Sequence, residues 1–336
     1  MILFKMMRAE VKRHKNFTAL LIFIMFLFGT FVFSQGCSLK LGPTLAPLEE
    51  KVISGSGDNK VLIIDVRGFI SNRDRRSVLG QTLEVGLVEK IRETLDQAES
   101  DESIKALWLQ VNSPGGTVTS SDIIYHEVKA FKAKRNIKVY ASVLDLAASG
   151  AYYISLSADK IFAHPTSLVG SIGVIAVKVN TKALMEKIGV DWEVIKSADK
   201  KDFLSPFRPL TKEEKKIFQE TIDGFHDRFV RVIAANRIQL NVESVQKLAD
   251  GRIYSSEQAL NLGLIDHIAY MDEAEEMIKN DLGVQDIKLV AYHRPGEYKS
   301  NIYSSLPVTP VINLINLNLD FFPQTKGSAF MYLWMP

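Results

Sequence analysis

The sequence predicts an α/β protein built on mostly parallel sheet, and two observations carry that expectation. Short, almost wholly apolar runs of strand length alternate with longer stretches whose apolar residues recur every three or four positions. Strands that lack polar alternation are buried on both faces, an environment found in parallel sheets between helical layers. At 336 residues the chain is long enough for a substantial core. No internal repeat of fixed period is apparent.

The first apolar run is Val61-Leu62-Ile63-Ile64-Asp65-Val66, and 81–98 comes next with Leu83, Leu87, Ile91 and Leu95 at helical spacing. The same order recurs in 106–111 followed by 120–134, and in 138–143 followed by the segment around Ser149. It recurs again in 192–196, read as a strand, followed by 211–237. This last helix opens on a capping box of Thr211 with Glu214 and carries one apolar stripe through Phe218, Phe225, Phe229 and Ile233, a packing face rather than a site. Two shorter helices, 242–249 and 256–262, end at Asp250-Gly251 and Gly263. A domain of residues 60–282 is therefore expected. Beyond it, 283–336 mixes Pro, Asn and aromatic residues without period and reads as extended chain laid over the domain or a neighbouring subunit.

Ahead of the domain, Lys5, Arg8, Lys12, Arg13 and Lys15 precede 17–33, which has no charged residue. A basic flank before an apolar run keeps the N-terminus in the cytoplasm and sends the chain beyond it across the membrane. Residues 1–37 are thus expected to be a membrane anchor or a lipoprotein signal. Ser34-Gln35-Gly36-Cys37 resembles a bacterial lipoprotein processing site, which would lipidate Cys37, and a retained transmembrane helix is the equal alternative. As Cys37 is the sole cysteine, no disulfide can form within the chain. Residues 38–59, with Pro43, Pro47, Gly55 and Gly57, read as a linker. The 41 Lys and Arg against 39 Asp and Glu leave +2, too little to indicate a nucleic-acid partner.

Two segments could carry chemistry. In Ala147-Ala148-Ser149-Gly150-Ala151, a serine stands among residues too small to shield it, where a strand gives way to a helix. The unpaired amides there favour developing negative charge. In Asn112-Ser113-Pro114-Gly115-Gly116, two glycines end an apolar strand, allowing a tight turn with uncovered N–H groups. An oxyanion site or a phosphate cradle would both use such a turn, but neither the Walker lysine nor the dinucleotide glycine spacing is present.

These two segments, with Gly170-Ser171-Ile172-Gly173-Val174, Lys196-Ser197-Ala198-Asp199-Lys200-Lys201-Asp202 and Asp250-Gly251-Arg252-Ile253-Tyr254, resemble the signal peptide peptidase A family of membrane-bound serine proteases. The resemblance spans about residues 60–275 and implies the Clp/crotonase-like fold of stacked ββα units. It also implies a serine–lysine dyad: Ser149 as nucleophile, Lys201 as general base, and Ser171 holding the amine. The amides of Gly116 and Gly150 would form the oxyanion hole, with Gly115 able to share that role. A ring-shaped homo-oligomer is implied, the lysine of one subunit completing the serine of the next. The substrates would be peptides, such as signal-peptide remnants or misfolded secreted proteins, on the extracytoplasmic side of a bacterial membrane.

A lysine base has to lose its proton near neutral pH, so the carboxylates of Asp199 and Asp202 must point away from Lys201. Lys200 is the fallback. No histidine stands where a Clp-type triad would place one: His164 lies in an apolar strand before Pro165, and His126 and His226 lie in helices. No histidine pair has close helical spacing, so no metal is expected, and no cofactor. The competing functions are a crotonase-like acyl-CoA lyase or isomerase, and a catalytically silent membrane scaffold.

Overall fold

A computed structural model describes residues 46–76, 82–295, 301–303 and 330–335. In chain order it begins with strands β1 (Glu49–Gly55), β2 (Lys60–Arg67), β3 (Arg75–Arg76) and β4 (Thr82–Glu84), then helix α1 (Leu87–Ala98). Strands β5 (Ile104–Ser113) and β6 (Gly115–Thr117) lead into α2 (Val118–Arg135), and β7 (Lys138–Ala148) into α3 (Gly150–Ser155). Next come β8 (Lys160–Ala163), β9 (Leu168–Gly170), β10 (Ile175–Ala176), α4 (Lys182–Lys187), α5 (Lys212–Asn236) and α6 (Val242–Leu248). The remainder is β11 (Ile253–Ser255), α7 (Ser256–Asn261), β12 (His267–Ile268), α8 (Met271–Leu282), β13 (Lys288–His293) and β14 (Phe330–Leu333).

The main sheet runs β1-β13-β2-β5-β7-β8-β12, with β9 beside the end of β7 and β11 beside β9. Every neighbouring pair from β13 to β12 is parallel, as is β7 with β9. The two antiparallel pairs, β1 with β13 and β11 with β9, lie at the margins. The apolar runs explain this arrangement. Along β2, Leu62, Ile64 and Val66 face the layer formed by α1, α2, α3 and α5, whereas Val61 and Ile63 face α8. Strands β5 and β7 divide in the same way, Leu107, Leu109, Val139 and Ala141 on the first face, Trp108 and Tyr140 on the second. Side chains alternate along a strand, so a strand apolar at every position has to be covered twice. Two polar groups inside are paired across the core: the Trp108 indole donates to Ser142 Oγ at 2.8 Å, and the Tyr152 hydroxyl to the Leu264 carbonyl at 2.8 Å.

At the C-terminal end of α5, Arg237 grips Asp266 with two hydrogen bonds of 2.8 and 2.9 Å and donates through Nε to the Gly263 carbonyl. Asp266 in turn accepts from the Ile161 amide, tying β8 to this corner. The Arg237 side chain is only 5% exposed. Removing one partner of such a pair leaves the other uncompensated, so Arg237→Ala should lose about 3 kcal/mol of stability. Urea unfolding followed by circular dichroism checks this, with an unchanged midpoint as the contrary result.

Four expectations from the sequence are corrected. The helix expected over 81–98 begins at Leu87, because the Gly86 and Leu87 amides bond Asp74 Oδ1 and the Ser71 carbonyl, and 82–84 pair with β3 instead. Residues 192–196 are not a strand: their apolar alternation finds no sheet edge among the described residues, Ile195 is 97% exposed, and Trp192 stacks on Phe207 instead. The linker expected over 38–59 contains β1, which is part of the main sheet. Strand β13, in the stretch expected to lie outside the domain, stands between β1 and β2 within that sheet. Residues 1–37, including Cys37, lie outside the described residues, so the expected membrane segment falls there. Among the described residues no helix is long and apolar enough to cross a membrane.

Candidate active site

Strand β7 delivers Ser149 to the head of α3 with φ 53° and ψ −113°, a left-handed conformation that a residue with a Cβ adopts at a cost. Neighbouring bonds hold it there. The Ser149 amide donates to the Gly170 carbonyl at 2.6 Å, and its own carbonyl accepts from the Tyr153 amide at 2.9 Å. Below, Tyr152 and Tyr153 are fully buried. The hydroxyl, almost wholly enclosed, reaches the Gly173 carbonyl at 3.4 Å. Ser171, also left-handed at φ 49°, follows the residue that accepts the Ser149 amide; Ala148 and Gly170 are register partners, so the two serines extend adjacent strands side by side.

The glycine turn lies next to Ser149. Gly115 has φ +102°, available to glycine alone, and its amide is held by Ser113 Oγ at 3.0 Å, which itself donates to the Gly68 carbonyl. A Cβ on Gly115 would collide with the Tyr332 carbonyl oxygen and come within 2.9 Å of the Gly150 amide nitrogen. A Cβ on Gly150 would stand 3.1 Å from that same oxygen and 3.3 Å from the Gly116 nitrogen. Gly115 and Gly150 therefore both lie close to one carbonyl oxygen, that of Tyr332.

Tyr332 belongs to β14, which lies antiparallel between β6 and β10. The Trp334 amide donates to the Pro114 carbonyl at 2.9 Å. Alternate pairs of an antiparallel ladder exchange bonds, so the next exchanging pair is Gly116 with Tyr332, and the Gly116 N–H faces the Tyr332 carbonyl.

The profile of Peptidase family S49 matches residues 131–285, and that of Clp protease residues 63–169; Ser149 falls in both. The chain is 36% identical over 244 residues to a protein of Enterococcus faecium described as a signal peptide peptidase SppA, covering 73% of this chain and 70% of that one. It belongs to that family. A protease of Synechocystis sp. is 38% identical over 230 residues, covering 68% of this chain and 77% of its own. Protease 4 of Haemophilus influenzae is 32% identical over 253 residues, 73% of this chain but 39% of that longer protein. This member of the signal peptide peptidase A family is a serine peptidase, and the acyl-CoA lyase reading falls away.

Among the described residues no hydrogen bond joins Lys201 to Ser149. Lys201 sits exposed in a 3₁₀ turn, Asp199–Asp202, and its amine makes no hydrogen bond or ion pair among the described residues. Lys200, the fallback, is engaged by Glu213 at 2.9 Å. The carboxylate that threatened Lys201 is occupied elsewhere: Asp202 accepts from Arg208 at 2.7 and 2.9 Å and from Lys196 at 2.8 Å. Those bonds, Arg208 first, hold its carboxyl well below the usual range, and Arg208 with the Thr211 amide holds Glu214 down to about 2. Glu214 also closes the capping box with Thr211, as expected from the sequence.

Two of the histidines are engaged elsewhere. His164 packs edge-on to Tyr270 and burial lowers its pKa, and the His226 ring bonds the Ala249 carbonyl at 2.9 Å. Among the described residues no three His, Cys, Asp or Glu are grouped to hold a metal. Sequence reasoning missed Asn112, whose amide bonds Asp145 Oδ2 at 2.6 Å and joins the loops after β5 and β7. It also missed the run Phe330-Met331-Tyr332-Leu333, whose apolar, aromatic composition marks a strand.

Proposed function

We propose that this peptidase hydrolyses peptide bonds with Ser149 as nucleophile and Lys201 as base, the lysine arriving from a neighbouring copy in a homo-oligomeric ring. The observation that carries this reading is a single carbonyl oxygen, that of Tyr332, close to Gly115 and Gly150 and faced by the Gly116 N–H, beside Ser149. An acyl-transfer site needs that geometry and a phosphate cradle does not. Lys201 takes the Ser149 proton as Oγ adds to the carbonyl carbon, and the Gly116 and Gly150 amides receive the oxyanion. The C–N bond then breaks and the amine leaves with the proton. Water, activated by the same lysine, hydrolyses the ester and frees Ser149. Ser171, in line with Ser149 on the next strand, orients the incoming amine.

The exposed run from Val177 to Ile195, including Leu184, Ile188, Val190 and Trp192, supports an apolar contact between copies next to the Lys201 turn. Extracytoplasmic placement behind an N-terminal anchor, with signal-peptide remnants or misfolded secreted chains as substrates, completes the proposal. Lys201→Ala is expected to abolish hydrolysis of a fluorogenic peptide and Lys200→Ala to leave most of it. Mixing Lys201→Ala with Ser149→Ala subunits should restore activity. If only Lys200→Ala is dead, the base is misassigned; if mixing restores nothing while both variants assemble, the lysine does not come from a neighbour.

A further inference from the structure

The turn that carries Lys201 is held by one side chain. Arg208 reaches back to Asp202, with Nε 2.7 Å from Oδ2 and Nη2 2.9 Å from Oδ1, and Nη2 also donates to the Asp202 carbonyl at 3.3 Å. The same guanidinium reaches forward to Glu214, Nη1 donating to Oε2 at 2.8 Å and Nη2 to Oε1 at 2.6 Å. One planar fork thus grips two carboxylates, a task beyond the single ammonium of a lysine. The grip ties the turn to the head of α5, where Glu214 accepts from the Thr211 amide at 2.8 Å and Phe203 packs edge-on against Phe218. Lys178, from the segment after β10, donates to the Arg208 carbonyl.

Stability alone does not call for this cluster. The Arg208, Asp202 and Glu214 side chains are 27, 11 and 4% exposed, and desolvation offsets much of the attraction among charges enclosed in this way. What the cluster does is direct carboxylates. The acidic groups around Lys201 are Asp199 and Asp202 of its own turn and Glu213 and Glu214 from α5; the basic ones are Lys200, Lys196, Lys178 and Arg208. Glu213 pairs with Lys200, Asp202 and Glu214 with Arg208, and Lys196 braces both Asp202 and the Asp199 carbonyl at 2.8 Å. Lys200 shows the alternative fate of an amine on this turn. Its hydrogen bond from Glu213, with Asp199 and Glu214 also close, raises its pKa and keeps it charged. A general base needs the opposite.

We infer that Arg208 is a positioning residue for the general base: it draws the Asp202 and Glu214 carboxylates away from the Lys201 amine and fixes the turn, 199–202, that presents it. The inference rests on Lys201 being the base, as proposed above. It gives Arg208 no contact with substrate. A merely structural Arg208 would set how much active enzyme there is, whereas a positioning one also sets the pH at which that enzyme is active.

The test is the pH profile of kcat/KM for a fluorogenic peptide, measured on full-length protein from about pH 6 to 10. With a lysine base the parent's rate rises with pH, because only the neutral amine accepts the Ser149 proton. Arg208→Ala releases Asp202 and Glu214, so the rising limb should move up by about one pH unit, read as a roughly tenfold loss near neutral pH that disappears on the alkaline plateau. Arg208→Lys, which offers one point charge to two carboxylates, should move the limb by about half as much. Adding Asp202→Asn to Arg208→Ala removes one released carboxylate and should bring the limb most of the way back. Native mass spectrometry confirms that each variant assembles as the parent does, and Arg208→Lys decides the matter should Arg208→Ala fail to fold. A limb that stays in place in every folded variant while the plateau falls overturns the inference, as does a displaced limb that Asp202→Asn leaves where it is. A parent profile that is flat over the whole range overturns the lysine base itself and this role with it. The two failures are told apart by the parent's own profile.

Discussion

Ser149→Ala is expected to reduce peptide hydrolysis by about four orders of magnitude or more, since loss of the nucleophile removes the acyl-enzyme route and leaves only binding and oxyanion contributions. The variant should fold as the parent does. Alanine meets the same left-handed requirement that serine already meets, and the bonds from the Ser149 amide and carbonyl belong to the backbone. A fluorophosphonate probe gives a readout independent of peptide choice: it should label the parent and leave the variant unlabelled. Labelling that persists in Ser149→Ala would move the nucleophile elsewhere.

Gly116→Ala should reduce kcat by about two to three orders of magnitude, the range found when one oxyanion donor is lost. The added Cβ would run into the Ile70 backbone, with its carbonyl carbon and amide nitrogen both 2.6 Å away. Ile70 cannot yield easily, as its carbonyl accepts from Thr117 and its amide donates to Gly115, both at 2.9 Å. Strand β6 must therefore shift, carrying the Gly116 amide off its target. Steady-state kinetics distinguishes this from lost peptide affinity: a change confined to KM would mean that Gly116 holds substrate without stabilising the transition state.

Much of the fold was readable because β2, β5 and β7 are apolar at nearly every position, a pattern that only a doubly covered sheet satisfies. The glycine and serine segments were readable for a different reason. Left-handed backbone at Gly115 and close approach at Gly150 allow few residue types, so the constraint appears directly in the sequence. The same tools misled at 192–196, where alternation marks an apolar face without saying what covers it. They passed over β10 and β14, of two and four residues, which are too short to carry a period and are held by pairing across more than a hundred positions of chain. That Lys201 stands exposed on a turn of its own could not be read from spacing, because charged neighbours in sequence say nothing about how a side chain is covered in the fold.

The position of β13 sets a timetable for the protein's synthesis. It fills the gap between β1 and β2, so the Lys60–Arg67 edge has no permanent neighbour on that side until residues 288–293 have been made, and β1 has none at all. A chain arrested before that point would present an open apolar strand to its surroundings. Closure of this edge therefore waits on a segment more than two hundred positions later in the chain, a distant pairing of the kind that folds slowly and leaves apolar strand exposed in the meantime.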